Sequence, residues 1–494
     1  MLFTPIDYLV FLPYWIITQF FYLGFLIMNK KIKSITPNNL ISIIAPKNTF
    51  LDKMTQLLYS FLYPVNSNSL IDHAYYISNG IGFSDLPLII VSIIQRYYMN
   101  FIVYLGLDFY APTIQHKFSF EKLIDPEVFI PPSCNIPYIY DPIKDNNNLL
   151  TLKGMNWIIN NIYIYDLLER TNDGYVIDTS FMDKFEYKKD MMKLGCIAHL
   201  SFDPKENMFI ITSLHSVNYP NISEKLICNL FFASMITHLT VCSHFYNVHY
   251  NINAQITYEN QKLSLDHCIR QILLPTELFT LQVVARANEL LVYKNYYGLD
   301  YFSAYTYSGI QNMISHYGKK RRSLDDVVKR FPEVHNLRLW NEYIMKYVIK
   351  AVDLIYPTEV DLRNDSAVIK WAMNIQQSES ITKKDLISII SMVYGSNVQH
   401  ILMSNPIMVT LISLISVAVR YNHNQTYGEI YRILNVAVDT SQPWVDFTVD
   451  FSNTIHDSTL RKLWHEFYQG MWLLKIDNRY PLLLPQNINQ STGL

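Results

Sequence analysis

The sequence predicts a mainly α-helical protein with one large domain, a small β element and an apolar N-terminal segment. Helical hydrophobic patterns dominate from residue 222 onward. Glycine is scarce, with 14 in 494 residues, which disfavours a β-sandwich and a glycine-rich phosphate loop. A long uncharged run lies near the start of the chain. These observations divide the chain into an apolar segment, residues 1–35, and a domain over residues 36–494.

The N-terminal segment contains an uncharged apolar run from Tyr8 to Met28, which Lys30 and Lys31 follow. These 21 residues are long enough to span a bilayer. Two interpretations stay open: membrane contact, spanning or monotopic, and a buried N-terminal helix of a very apolar enzyme. A signal peptide does not fit, because no positive residue precedes the run and no small-residue cleavage site follows it. The flanking lysines predict a cytoplasmic main body.

The larger domain begins irregularly and becomes helical. Residues 36–150 mix short apolar runs with Pro, Asn and Ser, which predicts irregular connections between short helices. Residues 192–215 predict two short strands around the turn "DPKEN". Helices are predicted over 224–256, 262–296, 336–355, 366–377, 384–402 and 406–420.

Composition and cysteine usage exclude several classes of protein. The net charge is −2, so no general basic field points to nucleic acid. The basic run "GKKRR" at 318–322 predicts a solvated turn. The five cysteines are scattered and never spaced as CxxC, which argues against a disulfide framework or zinc ribbon and for a reducing compartment. No GxGxxG, Walker A, HExxH or GxSxG motif occurs.

The stretch "SHFYNVHYN" at 243–251 places His244 and His249 five residues apart in a predicted buried helix. At about 100° per residue, this spacing rotates the second ring roughly 140° from the first, which favours two unrelated core histidines. A local i→i+5 widening, a π-bulge, would instead bring both rings to one face. His400, on another apolar helix, would then complete a set of three imidazoles. Such a set suits iron, manganese, copper or zinc.

Five motifs in order resemble the catalytic domain of the lipoxygenase family. The first is "HFYNVH" with the stretch "HCIRQILLPTELFTLQVVARANELLV" at 267–292. The others are "LRLWNEYIMKYV" (337–348), "LRNDSAVIKW" (362–371), "VQHILMSN" (398–405) and "LPQNINQSTGL" (484–494). The resemblance is clear over about 200–494 and weak over 36–200. It implies the catalytic domain alone, without the N-terminal PLAT-type β-barrel of many members.

The resemblance implies a non-haem iron centre. Its ligands would be the imidazoles of His244, His249 and His400 and the α-carboxylate of Leu494. Three neutral imidazoles and one carboxylate leave ferric hydroxide with a small net charge, which suits a one-electron oxidant. Manganese is served by the same ligands and is the alternative metal.

Three further positions follow from the same resemblance. The family's weaker metal position lies four residues after the third histidine and falls on Ser404, while a register shift would offer Asn405 instead. Ala287 falls where the family directs oxygen to one end of the substrate's pentadiene, and Leu291 falls where a leucine packs over it. Ordinary helix packing is the alternative role for both Ala287 and Leu291.

The implied activity is that of an oxidoreductase, a dioxygenase of the linoleate and arachidonate class. It would abstract hydrogen from the 1,4-pentadiene of a polyunsaturated fatty acid at ferric hydroxide and add O2, giving a lipid hydroperoxide for oxylipin metabolism. The expected partners are the fatty acid, O2 and a membrane lipid surface, without nucleic acid. The expected form is a cytoplasmic monomer that associates with membranes. A second hypothesis stays open: a catalytically inactive, membrane-associated protein that keeps the lipoxygenase fold.

Overall fold

A computed structural model describes ten separate stretches of the chain: 47–62, 74–86, 89–90, 93, 152–189, 191–277, 280–287, 303–317, 322–404 and 455–473. Several of the predictions above fall outside these residues and concern segment 1–35, residues 318–321 of the basic run, Asn405, the helix at 406–420, Leu291 and Leu494.

Helices make up most of the described residues. The α-helices are α1 (Phe50–Leu62), α2 (Ala74–Gly80), α3 (Leu152–Asn161), α4 (Glu224–His238), α5 (Ala254–Asn260), α6 (Cys268–Glu277), α7 (Thr280–Ala287), α8 (Tyr307–Tyr317), α9 (Leu324–Arg330), α10 (His335–Ile355), α11 (Glu359–Asn364), α12 (Ser366–Gln376), α13 (Lys383–Ser404) and α14 (Ser458–Leu473). A π-helix, Leu239–Asn253, joins α4 to α5 without a break.

Four strands form one antiparallel sheet in the order β1-β2-β3-β4. They are β1 (Leu168–Thr171), β2 (Gly174–Asp178), β3 (Cys196–Asp203) and β4 (Met208–Ser216). The last two strands flank the "DPKEN" turn and confirm the two strands predicted there. The sheet packs against α3 and α4 through β3 and β4.

The hairpin of β1 and β2 has no counterpart among the predicted strands, although its sequence carries a signal. Thr171 pairs with Gly174, so Asn172 and Asp173 form a two-residue loop of a composition typical of hairpins. Gly174 has φ +148°, and a Cβ at this position would lie 2.6 Å from the backbone oxygen of Leu200. Glycine is therefore required where β2 passes close to β3.

The π-helix lies at the centre of the hydrophobic core. It packs against α4, α5, α7, α8 and α13. The helical run Leu226–Asn260 is long and apolar enough to cross a membrane, but 89% of its most apolar window is buried inside the protein. The predicted helices at 224–256, 336–355, 366–377 and 384–402 are confirmed, and so is the mainly α-helical class with a small β element.

One predicted helix boundary is wrong, for a visible reason. The helix predicted from residue 262 begins only at Cys268. The intervening chain turns, and His267 Nδ1 accepts a hydrogen bond from the Ile269 N–H at 3.2 Å, which satisfies a donor at the helix start. Among the described residues of 36–150, helices α1 and α2 agree with the short helices predicted there.

Arg322 does not lie in a solvated turn. Its guanidinium donates to the backbone oxygens of Tyr165 at 2.5 Å and Leu168 at 2.7 Å, and it forms an ion pair with Glu169. The Arg322 carbonyl accepts from Gln399 Nε2 at 2.8 Å. Arg322 therefore connects the start of β1 and the loop before it to α13, the helix that carries His400.

Candidate metal centre

The π-helix brings His244 and His249 together. Their Nε2 atoms lie 3.0 Å apart, and their ring centroids lie 4.8 Å apart. Each residue of a π-helix turns the chain less than a residue of an α-helix, so a five-residue step returns close to the same face. The widened helix predicted from the five-residue spacing is confirmed.

His400 joins this pair from α13, which packs directly against the π-helix. Its ring centroid lies 5.1 Å from that of His244 and 4.8 Å from that of His249. One ligand atom from each of the three residues lies within 4.8 Å of the other two. Two separate helices thus bring three imidazoles together in one cluster.

The neighbour of His400 on α13 holds this crossing in place. Gln399 is buried, and its Nε2 donates to Tyr163 Oη and to the Arg322 carbonyl, both at 2.8 Å. These bonds connect α13 to the loop before β1 and to the start of α9. The register of α13, and with it the position of His400, is therefore set by polar contacts outside the histidine cluster.

Burial keeps the π-helix histidines neutral. It lowers the pKa of His249 to about 4. Burial and the neighbouring charge of His249 hold the pKa of His244 well below its usual range. Neutral imidazoles offer their lone pairs, so these rings are in the state that binds metal. Burial alone also lowers the pKa of His238 to about 4, so a low pKa does not distinguish a ligand from a core histidine.

The donor set fits a metal ion. Two nitrogens each about 2.1 Å from an ion lie about 3.0 Å apart at a right angle and about 3.4 Å apart at a tetrahedral angle. The 3.0 Å between the Nε2 atoms of His244 and His249 matches the right angle. His249 Nδ1 is buried and has no hydrogen-bond partner among the described residues. This nitrogen lies across the ring from Nε2, and Nδ1 of His238, away from the cluster, is unmet in the same way, so the metal argument rests on the Nε2 atoms.

The cluster is neutral in the part of the chain that the structure describes. No Asp, Glu or Cys there joins the three histidines as a fourth candidate ligand. A carboxylate would offset the charge of an ion held by three neutral rings, and water or hydroxide is the other ligand that can fill such a position. The donor set is therefore compatible with a carboxylate from the remaining residues, and Leu494 stays a prediction.

The remaining predicted site residues are placed only in part. Ser404 is the last residue of α13, four residues after His400, so the two positions share one helix face. Ala287 is the last residue of α7, which packs against the π-helix. Their side chains, together with Asn405, Leu291 and Leu494, lie outside what the structure describes. Their roles stay predictions.

Two neighbours of the histidine pair were missed by the motif comparison. Phe245 stacks on His244 with ring centroids 5.3 Å apart and planes at 23°. Asn247 is buried, and its Nδ2 donates to the Cys242 carbonyl at 2.8 Å inside the π-helix. An Asn within an otherwise apolar helix is a signal of this kind, because its amide competes for backbone hydrogen bonds.

The other two histidines of this region lie apart from the cluster. His267 Nε2 lies 3.0 Å from Asp365 Oδ2, which also accepts a 2.6 Å hydrogen bond from Tyr356 Oη. His238 packs edge-on against Phe181, with ring centroids 5.3 Å apart. Neither histidine joins the cluster of His244, His249 and His400.

Comparison with known proteins relates this chain to others by fold alone. No family model matches it, and no curated protein matches its sequence. A solved calcium-dependent 11R-lipoxygenase superposes with TM-score 0.53 at 10% identity, over 65% of this chain and 58% of that one. A structure described as Delta413-417:GS LOX gives TM-score 0.55 at 10% identity, over 90% and 81% of the two chains.

A coral 8R-lipoxygenase gives TM-score 0.51 at 9% identity, over 67% of this chain and 62% of its own length. The chain thus spans less than two thirds of two of these three proteins. At this identity the likeness shows the fold: the chain has a lipoxygenase-like helical domain with a small sheet.

Proposed function

We propose that this lipoxygenase-like chain is a dioxygenase that acts on polyunsaturated fatty acids with a bound non-haem iron. The observation that carries the proposal is the convergence of His244, His249 and His400 from a π-helix and a crossing α-helix. A 15-residue π-helix is rare, and such widened helices are enriched at functional sites. Core packing alone has no need for a helix of this kind.

The proposed ligand set is completed by Leu494, beyond the described residues, and by Ser404 at the end of α13. The α-carboxylate of Leu494 supplies the negative charge that the three imidazoles lack. Ser404 holds the weaker position, with Asn405 as the alternative. Iron is preferred to manganese, which the same donors also bind.

Iron held by these residues would supply the one-electron oxidation chemistry needed for hydrogen abstraction from a 1,4-pentadiene and addition of O2. The chain's own part is to bind, shield and orient. Burial of His244 and His249 keeps water away from the centre. The substrate needs an apolar channel, since burying each CH2 of an acyl chain contributes about 0.8 kcal/mol. Ala287 and Leu291 are the proposed contacts along its pentadiene.

The proposal also covers the cellular compartment, the partners and the oligomeric state of the protein. Cys196, Cys228 and Cys242 are buried free thiols, which is typical of a reducing compartment such as the cytoplasm. The partners are a fatty acid with its O2 and a lipid surface that presents acyl chains. The chain works as a monomer.

The decisive experiment combines metal analysis with an activity assay on the purified full chain. We expect bound iron, together with O2 uptake and conjugated-diene absorbance on adding linoleate or arachidonate. His400→Ala should lose both metal and activity. His238→Gln, a change at a buried histidine away from the cluster, should keep both.

The two parts of the proposal fail separately. A protein without iron or manganese overturns the metal centre. Bound metal without diene from either acid overturns the dioxygenase and favours the inactive, membrane-associated protein of the second hypothesis.

A further inference from the structure

Helix α1 exposes apolar side chains and buries polar ones, which is the opposite of an ordinary surface helix. Its apolar side chains recur at helical spacing on the outer face, with Phe50 76%, Leu57 64% and Phe61 82% exposed. Met54 and Leu58 complete this stripe, which we call the outer face of α1. An exposed stripe of this size is unusual on a soluble monomer and marks an interaction surface.

The inner face of α1 carries Asp52 and Gln56, whose side chains form hydrogen bonds with the rest of the protein. Asp52 Oδ1 accepts from the Phe83 N–H at 2.9 Å, and its Oδ2 accepts from Thr49 N–H at 3.0 Å. Gln56 Nε2 donates to the carbonyls of Asn79 at 3.0 Å and Ile81 at 3.0 Å. These buried bonds fix the rotation of α1 about its axis. Turning the apolar stripe inward would break the bonds to Phe83, Asn79 and Ile81, so these contacts hold the stripe outward.

The acidic side chain of α1 is buried, and its basic side chain is exposed. Asp52 is the only acidic residue of α1 and is buried, whereas Lys53 is exposed. Phe83, whose N–H bonds to Asp52, is an apolar residue near the start of α1 and is 49% exposed. The outer face thus presents apolar side chains beside one exposed lysine, a combination that suits lipid acyl chains beneath anionic headgroups.

We propose that the outer face of α1 inserts into the surface of a lipid bilayer. This inference goes beyond the proposed dioxygenase and is independent of any metal. The sequence upstream supports a bilayer over another protein. Twenty-one residues, 29–49, lie between the uncharged run 8–28 and Phe50. This link reaches roughly 75 Å at full extension. If that run contacts a membrane, the short link keeps α1 near the same surface at high effective concentration.

The test uses spin labels on the full chain, one at a time, at Leu57→Cys and Phe61→Cys. Val360→Cys on α11 is the matched control, since Val360 is an apolar side chain with 61% exposure on a different helix. Labelled wild type sets the background from the native cysteines. Accessibility to oxygen and to a water-soluble nickel chelate is measured with and without vesicles of phosphatidylcholine and phosphatidylserine.

We expect vesicles to raise oxygen accessibility and to lower nickel accessibility severalfold at positions 57 and 61, with no change at 360. The proposal is overturned if positions 57 and 61 stay accessible to nickel with vesicles present, as position 360 does. It is equally overturned if both reagents are already excluded before vesicles are added, because another segment, a second copy or a bound protein then covers the face. Neither outcome depends on dioxygenase activity, so failure here leaves the proposed function standing.

Discussion

His249 Nε2 lies 3.0 Å from His244 Nε2, although five residues separate the two in sequence. A regular α-helix would set these rings roughly 140° apart at about 100° per residue. The contact exists because the whole segment Leu239–Asn253 is a π-helix. The proximity of the two rings is therefore a property of backbone geometry, and this makes the spacing itself open to test.

Moving the second histidine by one position should destroy the metal site. In a regular helix a four-residue spacing is favourable for a shared ion, but in this π-helix Val248 sits at a different angle from His249. We expect the double variant Val248→His with His249→Val to bind less than about a tenth of the wild-type metal, measured by elemental analysis. His249→Val alone is the matched control for packing. Metal retention in the double variant above that in the single variant would contradict a π-helix in solution.

The terminal carboxylate should be as important as the histidines. We expect deletion of Leu494, or a tag added after it, to abolish diene formation, because either change moves the proposed anionic ligand. The fold should persist, with unchanged far-ultraviolet circular dichroism. The same tag at the N-terminus is the control. An active protein with a C-terminal tag would rule out ligation by this carboxylate.

A buried acid should make stability fall with rising pH. Burial raises the pKa of Glu277 from 4.5 to about 7, even though Arg270 lies 3.5 Å away. The folded state then binds the proton more tightly than the unfolded state, so stability is lost from pH 4.5 to about 7 and is flat above that. Each unit of pKa corresponds to about 1.4 kcal/mol.

Glu277→Gln removes this titration. We expect the difference in unfolding free energy between wild type and variant, from denaturant melts across this range, to fall by on the order of 3 kcal/mol as pH rises. Glu342→Gln, at an exposed glutamate, should show a flat difference. A flat or rising difference for Glu277→Gln would mean that the carboxyl ionises normally in the folded state.

The hairpin that joins β1 to β2 should depend on one glycine. At Gly174 the φ of +148° disfavours any L side chain, and a Cβ would lie 2.6 Å from Leu200 O. We expect Gly174→Ala to lower the free energy of unfolding by about 1–3 kcal/mol. Asp173→Ala, an exposed change in the same loop, should stay within about 0.5 kcal/mol of wild type. Equal stability of the two variants would show that the strand can move away from β3.

Local pattern was sufficient for much of the fold. Apolar patterns defined helices such as α10 and α13 to within one or two residues, although α10 buries one stripe and residues 393–399 of α13 are buried on every side. The strands β3 and β4 followed from alternation around a turn. The late start of α6 did not, because it depends on the His267 side chain satisfying a backbone N–H. Similarly, Arg322 looked like part of a charged turn, and only its contacts with Tyr165 and Leu168 turn it inward.

The sequence by itself determined the mainly helical class and singled out His244, His249 and His400 as chemically unusual. Only the tertiary structure decided that they meet, because two rings share a face through the i→i+5 backbone and the third comes from a helix 151 residues further along the chain. It also decided which face of α1 points outward. Hydrophobic periodicity shows that a helix has an apolar stripe, but not whether the stripe faces the core or the solvent. Here the hydrogen bonds of Asp52 and Gln56 hold the stripe of α1 away from the core.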